Sequence, residues 1–209
     1  MAVRKTRRLA MEETREALIR AGLAEFAEHG FDAPSLDNIC ARAGFTRGAF
    51  YVHFANREDF IVAVMEWRLG AFFDAVIGTG DTEMGLEPTV RRFVEAILGM
   101  TRGAPALGRE AAADAEVEAI QMHRLLDASE RSEFIRNRLE ALLESAVRRV
   151  TEVSCAEQAA HAVREDIDPR VIGSLLVALA LGTSTAVEAG LPFDLERVGE
   201  AVIRLLRAH

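Results

Sequence analysis

Arg47, Gly48, Tyr51 and His53 stand within the seven residues 47–53, in the stretch TRGAFYVHF that runs from Thr46 to Phe54. A guanidinium, a phenol and an imidazole beside a residue with no side chain make a donor set for phosphate oxygens and base edges, with room for a close backbone approach. That is the chemistry of contact rather than of bond making. The histidines, His29, His53, His123, His161 and His209, form no HExxH pair, and Cys155 and His161 lie six apart, a spacing that matches no common metal motif. There is no GxSxG, no GxxxxGK(S/T) and no GxGxxG after a strand, so no catalytic, metal-ligating or cofactor-binding residue is expected. An enzymatic reading would rest on His123 or His161 with a nearby glutamate.

The surrounding spacing predicts two short helices joined by a tight turn. Ser35 suits an N-cap, and Asp37 in the first turn suits the helix dipole. Leu36, Ile39, Cys40 and Ala43 recur as one apolar helix face, and Gly44 supplies a left-handed stop. Thr46 can cap the next helix, roughly Arg47 to Val52, with Phe45 and Phe50 placed as a hydrophobic staple. Phe50 and Phe54 then anchor it inward, leaving Arg47, Gly48, Tyr51, Val52 and His53 on the outer side. Helix-turn-helix geometry is weakly encoded by spacing, and a plain helical hairpin gives the same pattern.

The run AGFTRGAFYVHFANRED, residues 43–59, resembles the signature of TetR-type transcriptional regulators, A-G-(V/F)-(S/T)-(K/R)-G-x-(L/F)-Y-x-H-F-x-(S/N)-K-E-x-L. The resemblance extends from Thr14 to Glu66; beyond it only the helical layout is similar. Arg57 replaces the usual Lys, Phe60 a common Leu, and Glu25 occupies a normally apolar position of the first helix. The resemblance implies a DNA-binding dimer, most often a repressor released by a small molecule.

Composition sets the frame. Half of the 209 residues are hydrophobic and strand patterns are nearly absent, which favours an all-α chain. The formal net charge of −8 argues against a nucleic-acid binder until it is divided. Residues 1–57 carry nine Lys/Arg against seven Asp/Glu (+2), and residues 58–209 carry sixteen against twenty-six (−10). The basic part is local, and the acidic body opposes wrong orientations on DNA. Residues 1–8, MAVRKTRR, read either as a solvated tail or as a basic arm that places Arg4 and Lys5 along the backbone or in a minor groove. Cys40 reads as a small buried hydrophobe. With two cysteines, no CxxC and no secretory segment, a reducing cytoplasm is expected.

A first helix is expected over Leu9–His29, completing with the next two a three-helix DNA-binding domain, 1–57. Asn56 caps a fourth helix, about 56–77, which joins that domain to a helical ligand-binding and dimerisation domain, 58–209. Later helices are expected over Pro88–Thr101, Ala106–Leu126 and Arg131–His161, with a break at Asp127–Glu130, then from Asp168/Pro169 and from Asp194. Trp67, Phe93, Met100, Met122, His123 and Phe134 are the expected walls of an effector pocket. Val171–Val187 is seventeen residues without a charge, shorter than the about twenty a membrane span needs, and is expected to be buried on most sides. The last two helices are expected to pair with a second copy through Gly173, Leu176, Leu179, Gly182, Val198, Val202 and Leu205.

The expected DNA contacts are Arg47 on a base, Gly48 at close approach, and Ser35, Thr46, Tyr51, His53 and Arg57 on phosphates, with Asn38 as a further contact. The expected partners are near-palindromic duplex DNA, a second copy and an unidentified small-molecule effector, with no membrane. The rival is a helical ligand-binding or scaffold protein without DNA function.

Overall fold

The computed structural model describes residues 2–78, 85–101 and 121–208, without the side chains of residues 2–7, Met100 and Thr101. Among them run nine helices: α1 (Ala2–His29), α2 (Leu36–Ala43), α3 (Arg47–His53), α4 (Arg57–Ile77), α5 (Leu86–Thr101), α6 (Met122–Arg131), α7 (Glu133–Ala159), α8 (Pro169–Glu188) and α9 (Leu195–Leu206). Helix α1 begins at Ala2 rather than Leu9. The basic side chains of Arg4 and Lys5 lie outside the described residues, as do residues 102–120, where part of the Ala106–Leu126 helix was expected.

Local chemistry sets the first turns. The Ser35 Oγ accepts from the Asn38 N–H at 3.1 Å, and the Thr46 Oγ1 from the Ala49 N–H at 3.3 Å. Gly44, at φ 75°, ends α2 with its N–H on the Ala41 carbonyl, and the Phe45 N–H reaches the Cys40 carbonyl. Helix α4 opens with a reciprocal cap: Asn56 accepts from the Asp59 N–H, and Asp59 accepts from the Ala55 N–H, both at 2.9 Å. Phe45 stays 36% exposed, and the Phe50 ring packs instead against Tyr51, Phe54 and Phe60.

The N-terminal core is aromatic. Phe50, Phe54 and Phe60 have centroids 4.8–5.2 Å apart, with Phe26 5.8 Å from Phe60, and all four are buried. Phe60, where a leucine is usual, lies directly over Gly22, so α1 and α4 approach closely there. Glu25, on the same helix, is buried against Arg42, which donates to Glu25 at 3.0 Å and to Glu28 at 2.6 Å. A charge at a normally apolar position is thus offset by a partner on α2. The hydrogen bond from Arg42 holds the Glu28 carboxyl below the usual carboxylate range.

Helix α6 ties the head to the body. Arg124 donates to the Phe26 and Ala27 carbonyls in the last turn of α1, at 3.0 and 2.7 Å, and Arg131 pairs with Asp32. Its own N-terminus is capped from α8, with Glu188 accepting from the Met122 and His123 N–H groups. The break expected at Asp127–Glu130 falls instead at Ser132, which caps α7 through the Ile135 N–H. Within the continuous helix the Ser129 hydroxyl donates to the Leu126 carbonyl.

A second correction concerns α8. Among the described residues it is the helix long and apolar enough to cross a membrane by length and composition, yet only 17% of its apolar window is buried. Ile172, Gly173 and Thr183 face inward, whereas Val171, Leu175 and Leu179 are exposed. Among the described residues, α8 rests chiefly on α7, with α6 and α5 beside it.

Candidate nucleic-acid interface

The outer side of α3 carries the expected set. Thr46, Arg47, Gly48, Tyr51 and Val52 are exposed and His53 is half-buried, while Phe50 and Phe54 hold the helix from below. Ser35 and Asn38 are exposed at the start of α2. Arg47 lies 3.5 Å from Asp37, with both side chains more than half exposed. Its charged form is favoured first by a hydrogen bond with Tyr51 and then by Asp37. Solvent screens an exposed pair of this kind, so Asp37 holds Arg47 only weakly. Burial, and then the nearby charge of Arg15, push the His53 imidazole down, which favours its neutral form.

Gly48 is the informative residue of this surface. A Cβ built there meets nothing nearer than the Thr46 Oγ1 at 3.6 Å, and the backbone is not left-handed. The fold therefore accepts alanine, which favours helix by about 1 kcal/mol over glycine. Gly48→Ala should melt at or above the wild-type temperature. It should lose about tenfold or more in duplex affinity, since a methyl forced into a packed contact costs about 1–3 kcal/mol. Unchanged affinity would show that no backbone approaches there.

Arg57 is a correction. Its guanidinium donates inward to the Pro34 and Phe31 carbonyls at 2.6 and 2.5 Å and lies 6.0 Å from the centroid of the Phe26 ring. Desolvation lowers its pKa, so the side chain locks the α1–α2 link instead of projecting toward a phosphate. Sequence reasoning missed this because a buried acceptor carbonyl leaves no trace in residue type. Val52, expected on the outer side, is 65% exposed and puts an apolar group there.

Residues 18–64 match the family model described as bacterial regulatory proteins, tetR family. The N-terminal domain is a TetR domain. Among similar proteins, SrpR of Pseudomonas putida, an HTH-type transcriptional regulator, is 43% identical over 57 residues, 27% of each chain. AcrR of Shigella flexneri, another HTH-type regulator, is 38% identical over 63 residues, 30% of this chain and 29% of that one. The alignments span only about a quarter to a third of these relatives. Solved structures match over nearly the whole chain. Reduced NemR of E. coli gives a TM-score of 0.72 at 18% identity, covering 94% of this chain and 98% of that one. SmeT, the repressor of the Stenotrophomonas maltophilia efflux pump SmeDEF, gives 0.66 at 26% identity in its triclosan complex, covering 92% and 88%.

Behind the TetR domain, α4, α5, α7, α8 and α9, with Met122 of α6, line an apolar cavity of about 100 Å³ that opens to solvent. Of the expected wall residues, Phe93 and Met122 line it. Trp67 packs on the N-terminal core, His123 pairs with Glu188 at 3.2 Å, and Phe134 is 48% exposed. The Met100 side chain lies outside the described residues. Phe72 and Phe73 of α4 supply aromatic wall that the sequence reading passed over, since both fit an ordinary core face. Among the described residues, no group of three His, Cys, Asp or Glu is placed to hold a metal ion.

The expected interface residues divide. Gly173 packs inward: a Cβ there would lie 2.7 Å from the Thr151 Oγ1 and 2.8 Å from the Val147 carbonyl of α7. Leu176, Val198 and Val202 line the cavity rather than the outer surface. Gly182 and Leu205 face outward, with Leu179 at both the cavity and the surface. Val171 and Leu175, absent from the expectation, extend the Leu179–Gly182 stripe of α8, and Leu191 and Phe193 are exposed beyond its end.

Proposed function

We propose that this chain is a cytoplasmic, homodimeric transcriptional repressor that binds near-palindromic duplex DNA and is released by a small molecule held in the α4–α5–α8–α9 cavity. The observation that carries the reading is the continuity of α4. Its N-terminal half packs into the TetR-domain core through Phe60, Ile61, Val64 and Met65, and its C-terminal half forms cavity wall through Leu69, Phe72, Phe73 and Val76. An occupant that displaces this wall tilts a helix whose other end carries the DNA-binding head. In a dimer, that tilt changes the separation of two α3 helices, which must sit in major grooves about 34–36 Å apart.

In this reading Arg47 takes a guanine edge, Gly48 permits the approach, and Val52 meets a thymine methyl. Ser35, Thr46, Tyr51, His53 and the N-terminal backbone of α4 hold phosphates, with Asn38 beside them and Arg4 and Lys5 on an adjoining groove. SmeT, whose structure is known with triclosan, supports the assignment of the cavity to an effector.

The test is Arg47→Ala against a panel of selected duplexes. We expect a loss of about 1–3 kcal/mol on the preferred site with relaxed preference at one base pair. Equal losses on every sequence would reduce Arg47 to a phosphate contact. Failure of the wild-type dimer to select any duplex would favour a ligand-binding or scaffold role.

A further inference from the structure

Among the described side chains of the DNA-binding head, Arg15 is the arginine without an oxygen partner. Arg8 and Arg20 pair with Glu12 and Glu16 along α1, Arg42 with Glu25 and Glu28, and Arg47 with Asp37, while Arg57 donates to the Phe31 and Pro34 carbonyls. Arg15 is exposed and meets a ring instead: its guanidinium carbon lies over Phe54, 5.3 Å from the centroid. The helix explains this. Met11 and Ile19 stand four residues to either side, where a carboxylate would pair, and Glu12, three residues back, is taken by Arg8.

The ring is a fixed platform. Phe54 is 2% exposed and packs on Phe50 and Phe60 at 5.2 and 4.8 Å. A ring contact holds a guanidinium in place without neutralising its charge. The place it holds adjoins the end of α3. His53, the last residue of that helix, has its ring centroid 6.3 Å from that of Phe54. After burial, the Arg15 charge is what lowers the His53 pKa. Two nitrogen donors on separate helices, each disfavouring the other's charge, are both relieved by one anion. Thr46 stands before α3 and this pair at its end, so backbone contacts there would bracket Arg47 and Gly48.

We propose that Arg15 binds a DNA phosphate together with His53, and so fixes the register of α3 in the groove. This rests on the DNA-binding reading and adds a contact from α1.

The test measures the full-length protein on a selected duplex and on a scrambled one, across about 50–200 mM salt. Arg15→Gln should weaken both duplexes alike, about tenfold or more at the low-salt end, and should melt near the wild-type temperature. Each phosphate contact adds about 0.9 to the slope of log affinity against log salt, so a dimer that loses two should fall about tenfold less than wild type over that range. Arg15→Lys should keep the wild-type slope, since a point charge suffices for a phosphate. Arg20→Gln removes the same charge from a different side of α1 and should leave the slope as it is. Unchanged affinity of Arg15→Gln would overturn the proposal. So would a weaker affinity at the wild-type slope, which would leave Arg15 only steadying Phe54, or an equal change of slope in Arg20→Gln, which would make the effect one of head charge in general. With wild-type selection intact, these results leave the DNA-binding reading standing; a wild type that binds neither duplex overturns both.

Discussion

Gly22→Val should lower the melting temperature by about 6–12 °C and abolish operator binding at temperatures the wild type tolerates. A Cβ at Gly22 would lie 2.4 Å from the Phe60 Cζ and 3.3 Å from the Val64 Cγ2. The Phe60 ring cannot swing away, because Phe26, Phe50 and Phe54 surround it and it is fully buried. Overpacking of a closed site costs about 1–3 kcal/mol, and a branched side chain against a pinned ring belongs at the upper end. About 3 kcal/mol is a large share of the ~5–15 kcal/mol a domain commonly has, and about 2–4 °C per kcal/mol applies at this chain length. The same contact sets the position of α3, whose anchors Phe50 and Phe54 both pack on Phe60. Circular dichroism melts check the stability, and a melting temperature unchanged from wild type would mean that α1 and α4 do not approach as described.

Leu175→Glu should halve the mass in solution and lower operator affinity at least about a hundredfold, with little change in the stability of the single chain. Leu175 is 58% exposed on α8, between Val171 at 48% and Leu179 at 39%, a stripe left open among the described residues. Gly182 continues it with open space where its Cβ would be. Across a two-fold axis the substitution buries two unpaired carboxylates, each costing several kcal/mol, and a repressor with one head loses the second half-site. Gly173→Leu makes the contrast. It drives a side chain into Thr151 and Val147, so it should lower the melting temperature through α7–α8 packing. Light scattering with melting curves separates the two, and a normal dimer mass for Leu175→Glu would remove this face from the interface.

The legibility of the chain follows the range of the forces involved. Caps are local chemistry, and Ser35, Thr46, Asn56, Asp168 and Asp194 each cap the helix expected of them. The outer side of α3 was readable because Phe50 and Phe54, four residues apart, fix which side turns inward. Arg57 was not, since its partners are carbonyls 23 and 26 residues away whose availability depends on the path of the α1–α2 link. Glu25 did leave a signal, a charge in an apolar position, but Arg42 as its partner lay 17 residues off. The last two helices show the same limit: apolar periodicity says that α8 and α9 have apolar faces, not whether a given residue meets α7, the cavity or a second copy. Gly173 and Gly182 look alike in sequence, and packing places one inside and one outside.

In the proposed complex, two α3 helices of a dimer read two half-sites of one duplex. The most direct measurement is a footprint of the full-length protein on the DNA immediately upstream of its own gene, against scrambled DNA, at two salt concentrations. Protection is expected over two half-sites centred about one helical turn apart, one dimer per site, with steep salt dependence and little protection of the scrambled duplex. Weak protection of both duplexes alike, with no repeated half-site, would contradict it.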